Sequence, residues 1–170
     1  MQEDTLANKA VKEDGLYLVP AFSGLGAPYW DSDARAAIVG MSRTTRKAEL
    51  VRAALECIAY QITDVVKAMS EDSKICIGQL CVDGGPYLMQ FQSDLLTADV
   101  MVPNAEELSA IGPAYAAGLR LGLWDETIFT KLKRTAYKPS MEDKKRTQKY
   151  AGWKEAVKSV LCHNKMAGKD

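Results

Sequence analysis

Histidine is nearly missing from this chain. The only one, His163, lies close to the C-terminus. Histidine-based catalysis or a histidine metal centre would rest on that residue alone, in a segment expected to be a frayed tail. An excess of one charge is missing too. Lys plus Arg and Asp plus Glu both number 22, so the formal net charge is zero. That balance gives no basic face for nucleic acid or for an anionic membrane. Closely paired cysteines are absent: Cys57, Cys76, Cys81 and Cys162 include no two at the spacing of a zinc knuckle or a redox motif. Three of the four sit in apolar patterns, the setting of buried thiols in a reducing compartment. No apolar run approaches the length of a membrane span, and residues 1–14 are too polar for a signal peptide. The expectation is a cytoplasmic protein with no nucleic-acid and no membrane partner. Internal repeats and low-complexity linkers are absent as well, and 170 residues is the size of one domain.

What is present alternates between strand and helix patterns. Residues 1–14 read as a polar segment, irregular or a fraying helix. A buried strand is expected over 16–22, closed by Pro20. The loop from Ser23 to Asp31 follows, rich in turn residues, with Tyr29 and Trp30 expected to anchor it on the core. A second strand is expected over 35–41. Residues 47–69 carry the clearest helix, with Val51, Leu55, Ile58, Ile62, Val65 and Met69 on one apolar face. Glu49, Arg52, Glu56, Asp64 and Lys67 fall elsewhere on that wheel, and Thr44 or Thr45 is a candidate cap. Glu56 and Tyr60 are spaced to meet on one side, in a solvated or packing role.

Further on, the pattern predicts a strand over 79–82, a helix over 87–97 and a strand over 98–102 that Pro103 ends. A small-residue helix over 110–123 follows, with Ser109 as cap and Pro113 in its first turn. Its glycines and alanines permit close packing or leave room for a ligand. Residues 126–140 read as a short helix and an extended stretch. The last helix, over 141–162, has Tyr150, Trp153, Val157, Val160 and Leu161 as its apolar stripe. Lys144, Lys145, Arg146, Lys149, Lys154 and Lys158 read as its solvated side, and 163–170 as a tail. Strands alternating with helices point to a layered α/β domain over 15–162.

One junction carries chemistry. The strand Leu80-Cys81-Val82 runs into Asp83-Gly84-Gly85, and a helix follows at once. Glycine permits close approach to the backbone, and the N–H groups at a helix start favour a negatively charged or hydrogen-bonding ligand. By itself such a turn is more often only a turn.

Several ordered motifs then add up to a resemblance. The run from Pro20 to Asp31, Pro-Ala-Phe-Ser-Gly-Leu-Gly-Ala-Pro-Tyr-Trp-Asp, resembles the signature loop of bacterial glycerol kinases. Residues 36–41 with 49–56 are similar to a second signature of the FGGY carbohydrate kinases, and 82–85 with 88–95 to the family's adenosine-side motif. Ala110–Gly118 and Lys149–Lys154 fit glycerol kinase patterns as well. The resemblance implies an actin-like, ribonuclease-H-like α/β domain, the C-terminal one of an FGGY kinase. Such kinases move the γ-phosphoryl of ATP, with magnesium, to a polyol hydroxyl. It implies ATP at Gly84 and Gly85, weak or absent in the isolated chain, glycerol only together with an upstream domain, and self-association; the isolated chain is expected to be inactive, the alternatives being an inert packing module or a fragment of another FGGY sugar kinase. It further implies that the chain starts part-way through its domain, leaving exposed sheet edges. No carboxylate here matches the family's catalytic base, so no catalytic and no metal-binding residue is assigned. Glycerol kinases carry several more residues after the Gly-Gly, including an Asn at the base. Here Gly85 passes straight to Pro86, and that Asn has no counterpart.

Overall fold

The computed structural model describes residues 2–10, 15–103, 108–131 and 133–167, without the side chains of 108–110, 129–131 and 162–167. Cys162, His163 and the tail fall outside the described side chains. The chain forms α1 (Gln2–Lys9), β1 (Tyr17–Val19), β2 (Ala37–Val39), α2 (Lys47–Ser73), β3 (Gln79–Cys81), α3 (Pro86–Leu96) and β4 (Asp99–Pro103). Then come α4 (Leu108–Arg120), a 3-10 turn (Glu126–Lys131), β5 (Arg134–Tyr137) and α5 (Asp143–Ala167). The layered α/β reading is what the structure has. β1 and β2 pair antiparallel, with Leu18 opposite Ile38. β3 and β4 pair parallel around the crossover helix α3, and β5 adds to β4 antiparallel. The outer edges of β3 and β5 have no strand partner among the described residues.

Aromatic rings at the meeting of α2, α3 and α5 form the centre of the core. Tyr60 stacks on Trp153 at 5.2 Å and takes the edge of Phe91 at 5.4 Å. Tyr17 of β1 closes the cluster at 6.0 Å from Tyr60. Each such pair contributes about 0.5–1.5 kcal/mol beyond its buried area. Gly152 sits in the middle of α5 because the Tyr17 ring lies where its Cβ would be. A glycine costs about 0.5–1 kcal/mol in a helix interior, and here the close approach of β1 to α5 offsets it.

The buried face of α2 is not the one its apolar spacing predicts. Glu49, Ala53, Glu56, Cys57, Ala59, Tyr60, Thr63 and Asp64 are buried. Ile58 and Met69, expected inside, are 42% and 57% exposed. The reason lies in the partners. Buried polar groups are tolerated when hydrogen-bonded, and Glu49, Glu56, Thr63 and Asp64 on this face all are. Thr63 donates to the Ala59 carbonyl and accepts from Gln92. Glu49 accepts from the Arg46 amide at 2.9 Å and so holds the start of α2. Thr44 and Thr45 do not cap it; their hydroxyls bond Ser42 in the preceding turn.

Other expectations are corrected in the same way. Lys149 is buried, not solvated, because Glu56 faces it. Trp30 is 79% exposed, and of the loop's two aromatics only Tyr29 packs on the core. Cys57 is buried, whereas Cys76 and Cys81 are exposed at and before the edge strand β3. Ser109 and Pro113 lie inside α4, which begins at Leu108. Pro113 therefore withholds one helical N–H instead of starting the helix. Ala114, Ala116 and Ala117 of α4 are exposed among the described residues, and its buried Gly118 is covered by the Trp124 ring. Residues 2–9, read as irregular or fraying, form a helix that packs on α2 and α3.

Candidate functional site

The strand-to-helix junction is built by three local features. β3 is held in register to its end and one residue past it, where the Val82 amide donates to the Met101 carbonyl at 3.1 Å. Gly84 and Gly85 then turn the chain. Pro86 takes the first helical position, where a missing N–H costs nothing. Gly85, as N-cap, has no side chain to satisfy the first amides of α3.

The cap arrives instead from the far end of the sequence. The Tyr87 amide donates to Asp4 Oδ1 at 3.1 Å. A carboxylate at a helix N-terminus is favoured by both the free amides and the helix dipole. Asp4 packs so closely that a Cβ on Gly85 would lie 2.6 Å from its Oδ2. A Cβ on Gly84 would lie 2.6 Å from Met89 Cε. Asp4 lies against one side of the junction and Met89 against the other. Gly85 itself has φ −69°, so the close approach, not an unusual backbone, accounts for glycine there.

Behind the junction, Tyr87 ties α3 to the core. Its hydroxyl donates to Glu56 Oε1 at 2.8 Å, and its ring stacks on Phe91 at 6.3 Å. Lys149 Nζ lies 3.4 Å from both Glu56 oxygens, and Arg52 lies one helical turn before Glu56, its Nε at 3.9 Å. A cavity of about 380 Å³ opens beside these groups, lined by Asn8, Arg52, Glu56, Tyr87, Gln90 and Lys149 among others. No cluster of His, Cys, Asp or Glu that could hold a metal occurs among the described residues.

A second carboxylate fixes the Ser23–Asp31 loop. Asp64 accepts from Tyr29 at 2.7 Å, Tyr150 at 2.5 Å and Trp153 Nε1 at 2.7 Å, with Lys154 Nζ at 3.4 Å. Burial, then the Asp64 carboxylate, push the Tyr29 and Tyr150 hydroxyls well above the usual phenol range. Lys67 lies 3.6 Å over the Tyr150 ring, and burial lowers its ammonium below the usual lysine range. These hydroxyls are donors, and nothing in the arrangement prepares them for proton abstraction.

The structure thus brings Gly84 and Gly85 together at the junction and adds Asp4, Met89 and Tyr87. Sequence reading missed Asp4, because a contact spanning 83 residues leaves no local pattern. Sequence reading missed Asp64 as well; the signal that could have found it is the Tyr150, Trp153 and Lys154 spacing, which puts three donors on one face of α5.

The profile of the "FGGY family of carbohydrate kinases, C-terminal domain" matches residues 1–121. The chain is 47% identical to a glycerol kinase of Staphylococcus epidermidis over 166 residues, covering 94% of this chain and 33% of that protein. A crystal structure of Plasmodium falciparum glycerol kinase with ADP superposes with a TM-score of 0.80 at 35% identity, covering 94% of this chain and 33% of the other. A xylulose kinase from Rhodospirillum rubrum shares the fold at TM-score 0.73 and 22% identity, over 95% of this chain and 34% of the other. The chain spans about a third of the length of the curated relatives it matches. With its α/β layers, its signature loop and its glycine junction in the family's order, this chain belongs to the FGGY family of carbohydrate kinases and carries sequence of that family's C-terminal domain.

Proposed function

We propose that this chain supplies the nucleotide side of a glycerol kinase, and that it does not phosphorylate glycerol by itself. One observation carries the proposal: near-half identity to a glycerol kinase over 94% of the chain, within 33% of that relative's length. Gly84 and Gly85 would face the adenosine end of ATP, with magnesium on the phosphates. Phosphoryl transfer needs an aligned acceptor, the metal and a group that takes the hydroxyl proton. Glu49, Glu56 and Asp64, the three buried carboxylates of α2, are committed to structural donors, so none is assigned that proton. The chain's role is to hold nucleotide, not to run the chemistry.

The likeness to xylulose and gluconate kinases lies near 20% identity and carries the fold alone. Glycerol is therefore the acceptor proposed for the assembled kinase. A cytoplasmic location and self-association belong to the same proposal; no helix among the described residues is long and apolar enough to cross a membrane.

Thermal unfolding with MgATP or MgADP tests this. Nucleotide at a hundredfold excess over its dissociation constant stabilises by about 2.7 kcal/mol. Gly85→Val should abolish the shift, since a branched side chain takes the ligand's place. A coupled assay for glycerol 3-phosphate should show no turnover. Absence of any shift at millimolar nucleotide refutes the proposal.

A further inference from the structure

We infer that the cavity between α1, α2, α3 and α5 is a binding site for a small organic anion, separate from the glycine junction. The chemistry it fits is one carboxylate or phosphate head on a compact apolar body. Charge is the first argument. Among the described residues, Arg52, Lys145 and Lys149 line the cavity against Glu56 and Asp94. Asp94 is committed elsewhere: its Oδ1 accepts from the Ser140 and Met141 amides at 2.7 and 3.0 Å, which fixes the approach to α5. Glu56 accepts from Tyr87 and faces both Arg52 and Lys149, one carboxylate against two cations. Lys145 is exposed and makes no ion pair among the described residues. Three cations against two anions leave the lining positive, and a positive cleft with low-dielectric walls concentrates anions.

The walls supply the second argument. The Tyr87 and Phe91 rings stack at 6.3 Å, nearly parallel, and both border the cavity beside Met141. A ligand with an apolar body gains by leaving water there, and a bare inorganic ion does not. At about 380 Å³ the cavity lies at the small end of the range of about 300–1,000 Å³ usual for ligand sites. Polar atoms supply the third. Gln90 donates from Nε2 to Asp94, Lys138 and Ser140, and its Oε1 has no donor among the described residues. The Asn8 side chain has no hydrogen-bond partner among them either. The pairing of α2 with α5 accounts for Glu56 and Lys149, but not for Lys145, Asn8 and Gln90 Oε1 meeting at one cavity.

Calorimetric titration of the full chain with phenyl phosphate, benzoate and inorganic phosphate is the test. Phenyl phosphate or benzoate should bind, at least about tenfold more tightly than inorganic phosphate, which has no apolar body. The tighter of the two organic probes identifies the head group. Lys145→Glu should weaken that probe about tenfold, and the variant breaks no ion pair among the described residues. Lys144→Glu makes the same change in net charge one residue away, outside the lining, and its affinity should stay within about twofold of the unaltered chain, since salt screens an exposed charge. Saturating MgADP should not displace the probe. No binding of either organic probe at millimolar concentration overturns the site, as does inorganic phosphate binding equally well. Equal weakening in Lys144→Glu and Lys145→Glu overturns it too, because the attraction would then belong to the whole surface. Displacement by MgADP would make the cavity part of the nucleotide site and overturn it as a separate one.

Discussion

Asp64→Ala should be among the most damaging single substitutions in this chain, though it lies far from any glycine turn. The carboxylate is 1% exposed and accepts from two tyrosine hydroxyls and an indole. Removing it leaves Trp153 Nε1 buried with no acceptor, in a residue that is 0% exposed. One orphaned buried donor costs about 1–3 kcal/mol. Tyr29 and Tyr150 are only partly buried, so their hydroxyls recover some hydration. Lys154 is 44% exposed and turns to water at little cost. Breaking a buried charged network from one side costs about 3–5 kcal/mol in total. That is a large share of the 5–15 kcal/mol that a domain typically holds. Urea unfolding followed by tryptophan fluorescence measures it directly, with the midpoint falling at unchanged m. Tyr150→Phe in the same background separates the parts. It removes one donor and leaves the acceptor satisfied by the others, so it should cost about 1 kcal/mol. The double variant should cost less than the sum, because both remove one interaction. A loss below about 1 kcal/mol for Asp64→Ala, or strict additivity with Tyr150→Phe, would contradict the view that Asp64 holds the loop, α2 and α5 together.

Three other outcomes follow from the same contacts. Stability should fall as pH rises past about 10: the unfolded tyrosines ionise near their ordinary value, while folded Tyr29 and Tyr150 keep their protons beyond it, so the unfolded state binds fewer protons. Chemical denaturation at pH 8 and pH 10.5 checks the sign, and the fall should be shallower in Tyr150→Phe. Gly152→Ala should destabilise by about 1–3 kcal/mol despite alanine's better helix propensity, because the methyl meets the Tyr17 ring; a raised melting temperature would show that β1 yields easily. Burial lifts the Cys57 thiol to about 11, so alkylation at pH 8 should mark the exposed Cys76 and Cys81 long before Cys57, as read by peptide mass spectrometry.

The order of elements was legible because period and turn residues are local signals. The 3.6-residue period of α2, the Gly-Gly stop before Pro86 and the Pro103 that ends β4 each predict their element without tertiary knowledge. The buried face of α2 was not legible. Spacing rules treat a carboxylate as outward-facing, and Glu56 and Asp64 face inward only because donors 93 and 89 residues away meet them. Trp30 failed for the mirror-image reason: nothing within the loop says that Tyr29 turns to Asp64 while its neighbour turns to solvent. At the junction, the glycines were legible as a turn, and the Asp4 that lies against it was not.

Lys149 to Lys154 shows what those distant donors accomplish. The segment looks like a functional signature, yet its side chains face α2. Lys149 reaches Glu56; Tyr150, Trp153 and Lys154 reach Asp64; Gly152 between them admits Tyr17. Glu56 and Asp64 are eight residues apart, about 12 Å along the helix at 1.5 Å per residue. α5 is therefore clamped to α2 at two points, which removes both sliding and rotation between them. The first clamp extends through Glu56 to Tyr87, so the glycine junction takes its position from the same rigid pair. Its other neighbour, α1, meets the junction through Asp4 on the Tyr87 amide and buries Ala7. With Glu56 and Tyr87 fixing the junction from behind, a charge change at Lys149 should alter folding before it alters binding there.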